Sequence, residues 1–135
     1  QNIQQNYPFQ VSIEQSNDIN LYFAYGDHFF VPNIILELDN RSELLGSKGT
    51  LLAVPHRHAA LMFPIDSMEV AKAINLFIPM TYGMFNEGPG SLSQYLYLYR
   101  NGKITLLPYA VGEDGGVQFY PPEEFVAILE ELAGS

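Results

Sequence analysis

Gly49-Thr-Leu-Leu-Ala-Val-Pro55 is a short apolar run held between a glycine and a proline, and its reading decides the fold. The consecutive apolar residues Leu51 to Val54 are too few for a helix of ordinary length. They suit a strand buried on both faces, because successive strand side chains point to opposite sides and both sides here are apolar. Ala59-Ala-Leu-Met-Phe63 repeats the pattern after the polar stretch Pro55-His-Arg-His58, which reads as a turn. Two adjacent strands joined by that turn are the simplest arrangement.

A helix start follows. Asp66 is placed to accept a backbone N–H as N-cap, Glu69 completes a capping-box pattern, and Ile65 is placed to pack against Val70 as a hydrophobic staple. Val70, Ala71, Ile74, Phe77 and Ile78 share one helical face while Glu69, Lys72 and Asn75 fall elsewhere, so the helix is expected to lie on the sheet. Pro79 removes a backbone donor and crowds the preceding turn. A kink or stop is therefore expected near Ile78, with resumption from Met80 to Phe85 as the alternative.

The 135 residues fit one domain, with residues 1–8 as a poorly ordered lead-in, and 47% apolar content argues against wholesale disorder. No apolar run approaches the roughly 20 residues that cross a bilayer. The formal net charge of −9, with the few basic residues scattered, disfavours nucleic acid and anionic membrane surfaces as partners. Acidity that maintains solubility explains this charge most simply, and a basic partner is the less weighted reading. The absence of cysteine excludes disulfides and thiolate metal sites and fits a reducing cytoplasm. Gln1 stands where an initiator methionine would, as in a processed chain or one cut from a longer protein, and a removed signal peptide would leave no trace.

The remaining elements bracket this centre. Phe9 to Ile13 alternates like an edge strand, and Leu21 to Tyr25 reads as an aromatic strand closed by Gly26-Asp27. Phe29 to Leu38 is readable as strand or as a short helix from Pro32, and the helix is preferred. Gln94-Tyr-Leu-Tyr-Leu-Tyr-Arg100, Asn101-Gly102 and Lys103-Ile-Thr-Leu-Leu-Pro-Tyr109 form a hairpin, since Asn-Gly supplies the two positive-φ residues of its tight turn. Alternation puts Leu96 and Leu98 on one face, and Tyr95, Tyr97 and Tyr99 on the other. Glu113 to Gly116 is a loop. Pro121 to Ala133 is a terminal amphipathic helix with Phe125, Ile128, Leu129 and Leu132 as its buried stripe and Gly134 as its stop.

Leu51-Leu-Ala-Val-Pro-His56, Tyr82-Gly-Met-Phe-Asn-Glu-Gly88, Ser91-Leu-Ser93 and Tyr97-Leu-Tyr-Arg-Asn-Gly-Lys103, in that order, resemble the YtpQ-like family. The likeness spans about Leu21 to Tyr109 and corresponds to the C-terminal part of longer members. His58 stands where relatives often carry Asp. Members are bacterial and their shared domain has no assigned activity. The resemblance therefore implies a cytoplasmic bacterial domain and transfers no catalytic residue.

Candidate chemistry is sparse. His56 and His58 on a strand would share a face, as two metal ligands require, and His28 with Asp27 is the candidate third contributor. Surface or turn histidines explain the same residues more simply, and no cofactor is implied. There is no Gly-x-Ser-x-Gly elbow, no Cys nucleophile and no Walker lysine beside Gly88-Pro-Gly90. Glu123 and Glu124 read as first-turn acids rather than a glycosidase pair.

These readings converge on an α+β fold, a mainly antiparallel sheet carrying two principal helices in the order β-α-β-β-α-β-β-α. The leading functional expectation is a non-enzymatic interaction or adaptor module, binding a protein partner or a second copy. Its candidate contacts are His56, Arg57 and His58 of the turn and Tyr95, Tyr97 and Tyr99 of the sheet. A metal-dependent or small-ligand-processing enzyme using His56 and His58 is the alternative.

Overall fold

The computed structural model describes residues 9–16, 19–26, 38–56, 59–86 and 95–134. In chain order the elements are β1 (Phe9–Ser16), β2 (Ile19–Gly26), a 3-10 turn (Ser42–Leu44), β3 (Thr50–His56), β4 (Ala59–Pro64), α1 (Glu69–Asn86), β5 (Leu96–Arg100), β6 (Lys103–Leu107), β7 (Tyr109–Val111), β8 (Val117–Phe119) and α2 (Glu123–Ala133). The class is α+β. The first six strands form one antiparallel sheet in the order β1-β2-β4-β3-β5-β6, and β7 and β8 form a separate hairpin.

The four apolar residues Leu51 to Val54 sit in the interior strand β3, between β4 and β5, and all are buried. Leu51 and Ala53 join a large cluster with Leu61, Phe63, Leu96 and Leu98 under α1 and α2. Leu52 and Val54 join a second cluster with Ala24, Met62 and Tyr99 on the opposite face, so burial on both sides explains a run without polar alternation. The register shifts between Ala53 and His56, around Pro55. Proline has no N–H for a ladder, and an irregularity is where a sheet tolerates it. The ladder continues to His56 opposite Ala59, so Pro55 and His56 belong to the strand rather than to the expected turn, while Arg57 and His58 lie outside the described residues.

The start of α1 departs from expectation. The Glu69 N–H donates to Ser67 Oγ at 3.2 Å, so Ser67 supplies the side-chain cap. Asp66 Oδ1 instead accepts the Ser47 N–H at 2.6 Å, tying the helix entry to the loop before β3. The buried face is Val70, Ala73, Ile74, Phe77, Ile78 and Thr81; Ala71 is exposed. Of the alternatives at Pro79 the helix takes continuation, running through Pro79 to Asn86 rather than stopping near Ile78. Packing of its apolar face on β2, β3, β4 and β5 outweighs the single backbone bond that proline removes.

The Asn101-Gly102 turn takes φ of 52° and 77°, as the paired positive angles of this hairpin type require. In α2, Phe125 and Ile128 are buried, whereas Leu129 and Leu132 are only half-buried against the same cluster. Glu124 fastens this helix to the sheet edge: its Oε1 accepts the Thr105 hydroxyl at 3.2 Å and lies 4.0 Å from Lys103 Nζ. Lys48 and Glu131 pair at 3.0 Å on the surface. The β7–β8 hairpin was not expected from the sequence. The preferred helix from Pro32 falls almost wholly outside the described residues, although residues 38–40 are helical.

Candidate functional site

The face of the sheet away from α1 and α2 is where the sequence-predicted aromatic residues are tested. Cross-strand register builds one row over all six strands: Ile13 opposite Tyr22, Tyr22 opposite Met62, Met62 opposite Leu52, Leu52 opposite Tyr97, and Tyr97 opposite Leu106. Opposed residues in an antiparallel ladder put their side chains on the same face, so this is a continuous apolar and aromatic stripe. Its middle is closed, with Met62 and Leu52 at 1% and 2% exposure. Tyr22 and Tyr97 are half-buried, and the ends open to water, with Ile13 at 60% and Leu106 at 44%. A second short row, Tyr99 opposite Ile104, lies beside Tyr97 and Leu106.

The cover over this face includes the segment from Leu38 to Leu44. Leu38 and Leu44 are fully buried in the second cluster. The buried Thr50 hydroxyl donates to the Leu44 carbonyl at 2.7 Å, and the Tyr99 hydroxyl donates to Asp39 Oδ1. Both bonds pin the cover to interior strands, and for the buried Thr50 hydroxyl loss of its acceptor costs about 1–3 kcal/mol.

The three candidate tyrosines therefore separate. Tyr99 is buried and holds the cover, and Tyr97 is half-buried on the same face. Tyr95 precedes β5 and packs against the helix-side cluster instead, its ring edge-on to Tyr109 at 5.6 Å between centroids and 73° between planes. The bend at Tyr95 lies outside the strand, so strand alternation does not govern it. Of the candidate histidines, His56 ends β3 with its backbone paired to Ala59. Arg57, His58, His28 and Asp27 lie outside the described residues. Among the described residues no three His, Cys, Asp or Glu side chains gather into a metal-binding group, and no helix is long and apolar enough to cross a membrane.

Two phenols carry displaced ionisation. Burial, then the hydrogen bond to Asp39 and its negative charge, push Tyr99 up to about 12. Burial, then the neighbouring Tyr95 and Tyr82, push Tyr109 up to about 12 as well. Below pH 10 both phenols are neutral whether the chain is folded or unfolded, so their contribution is constant. Between 10 and about 12 the unfolded chain releases protons that the folded chain still holds, and stability falls as pH rises. Urea midpoints measured through that interval are expected to decline, and the decline should be shallower in a Tyr99→Phe, Tyr109→Phe double variant. An identical slope in that variant would refute the assignment.

Ile104 and Leu106 were not picked out from sequence as site residues, yet their place was readable. A two-residue Asn-Gly loop fixes hairpin register, which sets Leu106 against Tyr97 and Ile104 against Tyr99. Tyr22, Asp39 and Thr50 carried no such local signal. No protein-family model, curated protein or solved structure matches the chain.

Proposed function

We propose that this chain is a non-enzymatic protein-interaction module, presenting Tyr97, Ile104 and Leu106 to an apolar, net-basic segment of a protein partner. The observation that carries the reading is Leu106, 44% exposed although it continues a row whose centre is closed to water. Apolar area held in place by a tight hairpin is preorganised, so a partner covering it loses little conformational freedom on the module's side. Tyr97 adds a rigid ring with a hydroxyl, the side-chain type enriched where protein surfaces meet. The formal charge of −9 steers basic segments toward the chain in preference to acidic ones. Likeness to the YtpQ-like family and the lack of cysteine support placing the module in a bacterial cytoplasm.

The test uses a displayed library of random peptides selected against the wild-type protein. Enriched peptides are expected to be apolar and basic, and their affinity should fall about tenfold or more on Leu106→Lys, a change at an exposed position that leaves the core intact. No enrichment, or equal binding to both proteins, would overturn the reading.

A further inference from the structure

At the opposite end of the same row, the middle of β1 is open to water on both faces: Ser12, Ile13, Glu14 and Gln15 are all exposed. It is a terminal strand of the six-stranded sheet and pairs with β2 over eight consecutive positions, from Phe9 with Gly26 to Ser16 with Ile19, with no register shift. Edge strands are ordinarily protected from further pairing by lysine, proline, a bulge or several charges. Within Phe9–Ser16 there is no Lys and no Pro, and Glu14 is the lone charge.

We infer that β1 is a self-association edge, to which a second copy of this chain adds its own β1 antiparallel across a two-fold axis at Ile13. Three observations select a second copy. Among the described residues Ile13 is the most exposed of the large apolar side chains, at 60%, and this axis sets it against its own equivalent. The same axis sets Ser12 against Glu14 of the second copy and Val11 against its Gln15, so the carboxylate meets a hydroxyl rather than another carboxylate. The local match thus avoids like-charge opposition in a chain of formal charge −9. Finally, Ile13 stands opposite Tyr22, so the two apolar rows join into one across a continuous twelve-stranded sheet, each copy contributing its six strands with the helices on the same side. A two-fold interface uses the same patch on both partners, and one strand pairing buries area at the low end of specific interfaces. The association is therefore weak and populated at high micromolar concentration.

Sedimentation velocity across a concentration series tests this. Wild-type protein is expected to shift from monomer to dimer as concentration rises, and Ile13→Lys to remain monomeric with an unchanged urea midpoint. Because the natural sequence has no cysteine, Ile13→Cys reports position cleanly: mild oxidation should give a disulfide-linked dimer, while Ser12→Cys should link far less. Leu106→Lys should dimerise as wild type does, which separates this edge from the partner surface at β6. Wild-type protein that stays monomeric, Ile13→Lys that still dimerises, or Ser12→Cys that links as readily as Ile13→Cys would each overturn the inference.

Discussion

Replacing Gly46 by alanine is expected to lower the stability of this chain by about 3 kcal/mol or more, read as a fall in the urea midpoint with an unchanged slope. An added Cβ would overlap Ile65 N and lie 2.5 Å from Ile65 O and 2.7 Å from Gly49 O, all of them main-chain atoms. Those atoms are held from several directions. The Gly49 carbonyl accepts the N–H of Gly46 at 3.2 Å and of Ile65 at 2.9 Å, and the Lys48 N–H donates to the Ile65 carbonyl at 2.9 Å. Gly49 itself has φ of 109°, a conformation that side-chain-bearing residues rarely adopt. The result is a close crossing that joins the entry of β3 to the exit of β4, with no flexible side chain to move aside. Gly83 is the control: an alanine Cβ there meets nothing within 4 Å, and the residue lies within α1. Gly83→Ala should raise stability by about 0.5–1 kcal/mol. The same sign at both positions would refute the crossing.

That crossing also marks where sequence reading stopped. The glycines of Gly46-Ser-Lys-Gly49 punctuate the chain as a loop does, but nothing local points to the contact with Ile65, which depends on how β4 returns beside β3. Leu51 to Val54 was legible as doubly buried strand because both parities are apolar. The Asn101-Gly102 hairpin was legible because its turn chemistry is local. Asp66 fits a capping box by its spacing to Glu69, but it accepts the Ser47 N–H from the loop before β3 instead, and Ser67 takes the cap. Ala71 and Ala73 likewise differ only by the phase of the helix against the sheet. Pro79 leaves stop and continuation open in sequence because its cost is local and the compensating packing is not. The candidate site divided in the same way. Tyr97 and its partner Leu106 follow from hairpin register, whereas Tyr99 is withdrawn from the surface by Asp39, 60 residues away in sequence.

The second large effect is expected at Phe77, where truncation to alanine should cost about 3–5 kcal/mol, a large share of the stability of a single domain. Phe77 is fully buried in the helix-side cluster, among the largest fully buried side chains of the described residues. Alanine would leave a cavity that α1 can close only partly, since the helix packs against four strands at once. The phase of the helix gives an internal check: Ala73→Leu should overpack the buried face at a cost of about 1–3 kcal/mol, while exposed Ala71→Leu should stay within about 0.5 kcal/mol. Phe77 lies on the opposite side of the sheet from Tyr97 and Leu106. At temperatures where Phe77→Ala remains folded, a peptide selected on the wild-type surface should bind it with unchanged affinity. A large loss of affinity in the folded variant would mean that the two faces are coupled and that the partner surface is not the rigid hairpin argued for above.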